Sequence, residues 1–280
     1  MKKWLHRIFV VLVLGVFVVS AVKLVTIWAG YRKSKSIQQE AVQEYTRVSS
    51  AAASRKEGGA SSGGGQGQPA ADGAEGSQAP QRVYAPIEVD FARLKGANGD
   101  VVGWIYCEGT VINYPVVYGR DNAYYLDRNY LGSYDPSGAI FTDMRNEDGF
   151  ADNNVILYGH HMQDGTMFAS LKNWFDQSYY EAHPVMWLLT PEQDYRVDIF
   201  AGYVTTADSD TYKVFDEPGS ALEGYLNWAK KWSAFNSAVE TEADGHYIVL
   251  STCAYSSDDA RTALHGKLVP VDSAGGIPVK

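Results

Sequence analysis

Three side chains, each close to the end of an apolar run, are of types that together catalyse acyl transfer. Cys253 ends the run 247–253, His160 follows the run 155–158 after one glycine, and Arg261 lies eight positions after the cysteine. A thiolate attacks a carbonyl carbon, and histidine exchanges protons near neutral pH. Arginine stays cationic beside a negatively charged oxygen. The three residues therefore predict a nucleophile, a proton carrier and an anion stabiliser.

The chain has two cysteines, Cys107 and Cys253. A single cysteine in an apolar strand is usually a packing residue, and this also holds for Cys253 when it is considered alone. Cys107 has no histidine or arginine near it in the sequence, so we interpret it as packing. A disulfide between the two would silence a nucleophile at Cys253, so we expect both thiols to be free.

The segments around the cysteine and the histidine carry further motifs, over roughly residues 84–272. Leu250-Ser251-Thr252-Cys253 is followed by Arg261 and Lys267-Leu268, and Tyr158-Gly159-His160-His161-Met162 is followed by Gly165-Thr166-Met167-Phe168. Upstream stand Gly103-Trp104-Ile105, Gly109-Thr110, Tyr114-Pro115-Val116-Val117, Asp121-Asn122, Tyr124-Tyr125-Leu126 and Gly138-Ala139-Ile140-Phe141. In this order the motifs resemble class B of the sortase family. The chain departs from it at Val249, where many sortases have threonine, and at Ala254, where class B members often have an acidic residue.

The resemblance implies a mainly β fold with accessory helices. This is the sortase-type eight-stranded β-barrel, with a helix in the long connection before the cysteine strand. It also implies a cysteine transpeptidase that cleaves a C-terminal sorting motif of exported proteins through a thioester, and needs neither cofactor nor metal. The expected partners are exported proteins with a sorting-signal pentapeptide and a peptidoglycan precursor that supplies the acceptor amine.

The resemblance also assigns the site residues. Catalysis falls to Cys253, Arg261 and the histidine directly after Gly159, so His160 is the expected catalytic residue and His161 the alternative. A substrate-binding groove is expected from five further residues: Asn122, Leu126, Ser251, Thr252 and Tyr212. For these five, ordinary barrel packing is the competing interpretation.

The other titratable residues have simpler interpretations. His183 is expected to pack or to cap a helix end, and His246 and His265 are expected at the surface. Asp258 and Asp259 either orient the candidate arginine or belong to a solvated loop. One acidic cluster is too ordinary to predict a calcium site: Asp143, Glu147 and Asp148. The adjacent pair His160-His161 does not have zinc-binding spacing.

Short strand-like runs separated by turns favour a barrel or a sandwich independently of the resemblance. The runs cover residues 101–107, 111–117, 139–142, 155–158, 185–189, 195–204, 247–253 and 267–271. Two helices are expected, at 167–180 and 220–235. The second has one apolar face, formed by Leu222, Tyr225, Leu226, Ala229 and Trp232.

The N-terminal residues predict a membrane anchor. Residues 8–22 are apolar or small, Lys23 interrupts the run, and residues 24–30 extend it beyond the about 20 residues that a span requires. A cleaved signal peptide is the competing interpretation, because residues 19–21 resemble a cleavage site. We favour an uncleaved single-pass anchor in the cell membrane through residues 8–30, with the catalytic domain outside the cell.

Composition divides the chain into an anchor at 1–35, a linker at 36–82 and a catalytic domain at 83–280. Residues 36–57 are polar and are expected to form a short helix or to stay loose. Residues 58–82 are mostly Gly, Ser, Ala, Gln and Pro, which is typical of a flexible tether.

The net charge and the order of the motifs argue against several alternative functions. The net charge of −9 argues against binding nucleic acid by bulk electrostatics. Another exported cell-wall thiol enzyme is one alternative. However, papain-like enzymes place the cysteine before the histidine in the chain, and the Ser-His-Gly-Cys-type signature of L,D-transpeptidases is absent. A catalytically inactive surface adhesin is the alternative from a different class.

Overall fold

A closed eight-stranded β-barrel forms the body of the chain, as the resemblance implies. The computed structural model describes residues 2–50, 82–119, 121–146, 150–215, 217–253, 259–271 and 277–278. Ahead of the barrel lie helix α1 (Lys2–Tyr45), strands β1 (Thr46–Val48), β2 (Arg82–Val83) and β3 (Ile87–Val89), and helix α2 (Phe91–Ala97).

The barrel is built from eight strands. They are β4 (Val101–Tyr106), β5 (Asn113–Tyr118), β6 (Ile140–Thr142), β7 (Asn154–Tyr158), β8 (Val185–Leu189), β9 (Asp194–Thr206), β10 (His246–Cys253) and β11 (Ala260–Val271). The connections hold 3-10 helices and two α-helices: Tyr124–Leu126, Phe168–Phe175, Asp210–Tyr212, α3 (Gln177–Ala182) and α4 (Ser220–Trp232). A last short strand, β12 (Ile277–Pro278), pairs with β2. The order around the barrel is β10-β11-β9-β8-β4-β5-β6-β7, and β7 closes it by pairing in parallel with β10.

Both faces of β10 are covered, which explains its continuous apolar sequence. Ile248 and Leu250 belong to the cluster that fills the barrel. Tyr247 and Val249, which point to the opposite face, belong to the cluster that includes the apolar side of α4. The strand that carries Cys253 is therefore fixed from inside and outside.

Helix α4 lies in the connection before the cysteine strand, as expected. Four of the five residues predicted for its apolar face are buried: Leu222, Tyr225, Leu226 and Ala229. The prediction was wrong for Trp232, whose side chain is 60% exposed. Trp232 is the last helical residue, and the chain turns to an extended conformation at Ser233.

The helix predicted at 167–180 is instead two elements of different type. A 3-10 helix at Phe168–Phe175 ends at Asp176, whose backbone is extended (φ −85°, ψ 125°). The Asp176 carboxylate accepts hydrogen bonds from the amides of Ser178 and Tyr179 and so begins α3. His183 caps the other end of α3, and its Nδ1 lies 3.1 Å from the Tyr179 carbonyl oxygen.

Strand β11 begins earlier than the predicted run at 267–271. It starts at Ala260 and pairs with β9 along its whole length, with a register shift between His265 and Gly266. Polar residues in its first half hide the strand pattern from a search for apolar runs. The consequence is that Arg261 lies on a barrel strand rather than on a loop.

Helix α1 is long and apolar enough to cross a membrane. Its 44 residues include large apolar side chains that are exposed throughout the stretch from Ile8 to Trp28. An apolar surface of this length without a protein cover is typical of contact with lipid.

The end of α1 lies in the expected linker, which began at residue 36 and for which a short helix was one of the two expectations. The helix continues to Tyr45 and packs on the barrel, because Ala41 and Tyr45 lie four positions apart on one face and are both buried. The Ser34 hydroxyl donates a hydrogen bond to the Asp135 carboxylate. Residues 51–81, most of the expected tether, lie outside the described residues.

His265 is buried, which contradicts the expected surface position. Its side chain is 1% exposed and stacks on Tyr203, with ring centroids 5.1 Å apart. Its Nδ1 lies 3.4 Å from the Tyr225 hydroxyl. Burial lowers the pKa of His265 to about 3, so the imidazole is neutral in the folded protein.

We expect acid to destabilise the fold through His265. The unfolded chain binds a proton at this residue below about pH 6.5, whereas the folded chain does not. Stability should therefore fall as the pH decreases below that value, at about 1.4 kcal/mol per pH unit from this group. Chemical denaturation of the full-length protein in detergent between pH 7 and pH 4.5 measures it. His265→Gln should flatten the dependence, and an unchanged slope would contradict the prediction. His246→Gln, on the adjacent strand, controls for the loss of an imidazole.

Candidate active site

Parallel pairing of β7 and β10 brings the candidate histidine and cysteine together. Tyr158 lies opposite Ser251. The Gly159 amide donates to the Ser251 carbonyl oxygen at 3.1 Å, so the pairing continues past the end of β7. Continued for two residues from the Tyr158–Ser251 pair, the same register places His160 beside Cys253.

The candidate arginine approaches from the other side of β10. Strands β10 and β11 are antiparallel, and Cys253 pairs directly with Arg261. Directly opposed residues in such a pair have Cα atoms about 4.5–5.5 Å apart. The backbone of Cys253, which is the part of this residue that the structure describes, therefore lies between His160, just past the end of β7, and Arg261 on β11.

A groove of about 800 Å³ runs along these strand ends. His160 and Arg261 both line it. So do all five predicted substrate-binding residues: Asn122, Leu126, Ser251, Thr252 and Tyr212. The connection after β9 forms one wall, which runs from Ala207 to Val214. The structure thus collects in one cavity residues that are far apart in the sequence.

His160 is held by a backbone oxygen. Its Nε2 lies 2.6 Å from the carbonyl oxygen of Leu126. Because a carbonyl oxygen only accepts, Nε2 carries the proton in this arrangement. The adjacent His161 lies beside a different cavity, lined by Thr110 and Val111, and its backbone bridges to Met167. Of the two neighbouring histidines, His160 is the one in the groove.

Close backbone contacts on both sides of His160 require glycine. A Cβ atom on Gly159 would lie 2.5 Å from the side chain of Ile140. Gly138 has a φ of +61°, and a Cβ there would lie 2.7 Å from the Tyr125 carbonyl oxygen and 3.1 Å from the His160 ring. A larger residue at position 138 would press on the imidazole, and one at position 159 would collide with Ile140 and Phe168 beside it.

Arg261 presents a half-buried guanidinium to the groove. One of its Nη1 hydrogens is donated to the carbonyl oxygen of Ala260 at 3.0 Å. Of the two aspartates expected to orient it, Asp258 lies outside the described residues. Asp259 is exposed, and its carbonyl oxygen accepts from the Ala207 amide at 3.2 Å.

Cys107 is a packing residue, as predicted. Its side chain is buried with 1% exposure, and the thiol is free. The sulfur lies 3.6 Å from the carbonyl oxygen of Val185. Burial raises the pKa of Cys107 to about 11, so its thiolate is scarce at neutral pH. The expectation of a free thiol at Cys253 stays a prediction.

Hydrogen bonds fix several of the groove side chains. The hydroxyls of Tyr212 and Ser251 are 2.8 Å apart. The Asn122 side-chain oxygen accepts from the Met144 amide at 2.8 Å. The Thr252 hydroxyl oxygen is buried without a hydrogen-bond partner in the described part of the chain. Because this oxygen has almost no solvent-accessible surface, it is not presented to a peptide in the groove.

A polar network that was not predicted also borders the groove, formed by Asp143, Arg145 and Tyr158. Arg145 binds both carboxylate oxygens of Asp143, and the Tyr158 hydroxyl donates to the same group at 2.7 Å. The signal available was the spacing Asp-x-Arg directly after β6. We considered Asp143 as part of an acidic cluster instead.

The acidic cluster of Asp143, Glu147 and Asp148 does not form a cation site in the described residues. The Asp143 carboxylate is occupied by Arg145 and Tyr158, while Glu147 and Asp148 lie outside the described residues. Within the ranges that the structure describes, no group of histidine, cysteine, aspartate and glutamate side chains is arranged to hold a metal ion.

Known proteins are similar to this chain in sequence and in fold. No family model matches the chain. Sortase B of Listeria monocytogenes is 36% identical over 193 residues, which cover 68% of this chain and 78% of that protein. The Staphylococcus aureus sortase B–substrate complex is 34% identical with a TM-score of 0.61, covering 65% of this chain and 85% of the other.

A structure of sortase B complexed with triglycine is 35% identical with a TM-score of 0.60, covering 65% of this chain and 86% of the other. The sequence identity extends over most of the length of each relative, and the solved relatives have the same barrel fold. The protein therefore belongs to the sortase B family of cysteine transpeptidases.

Proposed function

We propose that this sortase joins exported proteins, through a C-terminal sorting motif, to an amine of the cell wall. The observation that carries the proposal is the backbone of Cys253 between His160 and Arg261 at one groove. The relatives favour this function over a papain-like hydrolase, an L,D-transpeptidase or an inactive adhesin.

In the first step, the Cys253 thiolate attacks the carbonyl carbon of the threonine in the motif. A carbon–sulfur bond forms and the peptide carbon–nitrogen bond breaks, which leaves a thioester on Cys253. His160 donates a proton to the departing amine. Arg261 and nearby backbone amides stabilise the negative oxygen of the tetrahedral intermediate.

In the second step, an amine resolves the thioester. His160 accepts a proton from the incoming amine, a new carbon–nitrogen bond forms, and the carbon–sulfur bond breaks, which releases the Cys253 thiolate. A relative has been solved in complex with triglycine, a short peptide of the kind that presents a free amine. This supports a peptidoglycan precursor with an amino group as the acceptor.

The groove is suited to an extended peptide. Five extended residues span about 17 Å. Leu126, which is 44% exposed, offers an apolar contact on the groove. A relative has been solved in complex with its substrate, which supports peptide binding at this surface.

We also propose that residues 8–30 anchor the protein in the cell membrane with the barrel outside the cell. The length, composition and exposure of α1 support this arrangement. The divisions at residues 35 and 82 are kept as proposed domain limits, although the helix that begins in the anchor continues onto the barrel. Net charge supports a protein that does not bind nucleic acid.

A peptide assay tests the function. The full-length protein in detergent is incubated with fluorogenic peptides that carry sorting-type pentapeptides, with and without triglycine. We expect cleavage of a subset of the peptides and, with triglycine, a ligated product detected by mass spectrometry. Cleavage that never yields a ligated product would indicate a hydrolase. No cleavage of any peptide, together with a Cys253 that does not react with thiol reagents, would contradict the proposal.

A further inference from the structure

An ion pair with no part in the acyl-transfer steps borders the groove. Nε and Nη2 of Arg145 donate to the two carboxylate oxygens of Asp143 at 2.8 and 2.7 Å, and the Arg145 amide donates to one of them at 2.9 Å. The Asp143 side chain is fully buried, whereas that of Arg145 is 51% exposed. Burying a carboxylate costs desolvation free energy, and the attraction within an ion pair often does not exceed that cost. A general gain in stability is therefore a weak explanation for this ion pair.

The third partner of the buried carboxylate is Tyr158, a residue of the groove wall. Because an ionised carboxylate only accepts, the Tyr158 hydroxyl donates to Asp143. Burial raises the pKa of Asp143, but the hydrogen bonds from Arg145 and Tyr158 outweigh it and leave the pKa below its ordinary value. Burial and the bond to Asp143 raise the pKa of Tyr158, so its hydroxyl remains a donor.

The contacts continue from Tyr158 to the cysteine strand. The ring of Tyr158 packs against that of Tyr212, with centroids 6.1 Å apart. The Tyr212 hydroxyl lies 2.8 Å from that of Ser251, which is two residues before Cys253. Tyr158 and Tyr212, which we call the aromatic wall, therefore stand between the ion pair and β10.

We infer that Arg145 is a positioning residue, which acts through Asp143 to hold the aromatic wall in the arrangement that receives the substrate peptide. The inference rests on the proposed function for its substrate. The ordering of the aromatic wall by Arg145 does not depend on the proposed function, because the wall is held by contacts within the chain. Removing the guanidinium leaves a buried carboxylate with one side-chain donor, and Tyr158 loses its fixed acceptor.

Kinetics of the full-length protein in detergent test the inference, with a pentapeptide that the wild type cleaves. We expect Arg145→Met and Tyr158→Phe each to raise KM by about 5-fold or more while kcat stays within about twofold. The double variant should be no worse than Tyr158→Phe alone, because both changes break the same chain of contacts. Arg145→Lys, which keeps the charge, should restore part of the loss.

A matched control is present on β9. Arg196 and Asp198 form an ion pair of the same bidentate geometry, with distances of 2.7 and 2.8 Å, away from the groove. Arg196→Met should leave KM unchanged. Additive losses in the double variant, or a wild-type KM in Arg145→Met, would overturn the inference.

Hydrogen exchange separates this inference from the proposed function. Peptides covering residues 156–162 and 207–214 should exchange faster in Arg145→Met than in the wild type and in Arg196→Met. Unchanged exchange would refute the positioning role even if no cleavable peptide were found. Faster exchange without peptide cleavage by the wild type would leave the positioning of the wall supported and the proposed function refuted.

Discussion

Replacing Cys253 by alanine is expected to abolish peptide cleavage and ligation, by about 10⁴-fold or more in kcat. Alanine has no nucleophile, so no thioester forms, and the groove alone can only bind the peptide. The measurement is the fluorogenic peptide assay on the full-length protein. Mass spectrometry after acid quenching should show an acyl-enzyme adduct in the wild type and none in the variant.

The second cysteine provides the control for this prediction. Cys107 directly follows β4 and is buried in the barrel core, and its raised pKa keeps it as a thiol. Cys107→Ala should lower thermal stability by the cost of a small cavity and leave kcat near that of the wild type. Turnover that survives in Cys253→Ala, or vanishes in a folded Cys107→Ala, would refute Cys253 as the nucleophile.

Replacing His160 by glutamine is expected to lower kcat by about 10²–10⁴-fold, the contribution usual for a general acid–base. Glutamine has a side chain of similar reach and can still donate to the Leu126 carbonyl, but it does not exchange protons near neutral pH. The loss should therefore appear in kcat rather than in KM. Michaelis kinetics of both proteins in the peptide assay measure kcat and KM.

His161→Gln is the matched control, because the two histidines are adjacent and lie beside different cavities. This variant should retain kcat within about tenfold of the wild type, as expected for a side chain outside the reacting groups. If His161→Gln lost activity and His160→Gln kept it, the proton carrier would be His161, and the continued register of β7 and β10 would not reflect the catalytic arrangement.

Local patterns predicted the strands well where both faces are buried. The runs at 155–158, 185–189 and 247–253 each correspond to a strand within one residue at either end. The pairing of β7 with β10 could not be read from such patterns, since a parallel contact between segments about ninety residues apart leaves no local mark. The resemblance implied the eight-stranded barrel, and the structure supplies this pairing.

Each error has an identifiable physical cause. The polar first half of β11 hid a strand, and the capping carboxylate of Asp176 divided a predicted helix into two elements. His265 was placed at the surface because it flanks a predicted strand, whereas Tyr203 and Tyr225 enclose it. For β11 and His265, contacts with other strands outweighed the preference that the residue types indicate, whereas the Asp176 cap is a local contact.

The site residues that belong to the recognised motifs could be predicted from the sequence. The seven predicted residues other than Cys253 whose side chains are described all line one groove. The pair Asp143 and Arg145 was not predicted, because a buried carboxylate is recognised from its partners and not from its neighbours in sequence. Its third partner, Tyr158, was present in the motif, but the sequence did not indicate the hydrogen bond between them.

Because the barrel closes between β7 and β10, the spacing of the reacting residues and the choice of peptide depend on different parts of the chain. Backbone hydrogen bonds between the two strands fix the spacing of His160 and Cys253, whereas the groove wall at 207–214 belongs to the connection after β9. Insertions or exchanges in that connection can change which peptide is accepted without altering the reacting pair. Peptide preference can therefore diverge, or be transplanted between relatives, while the chemistry stays constant.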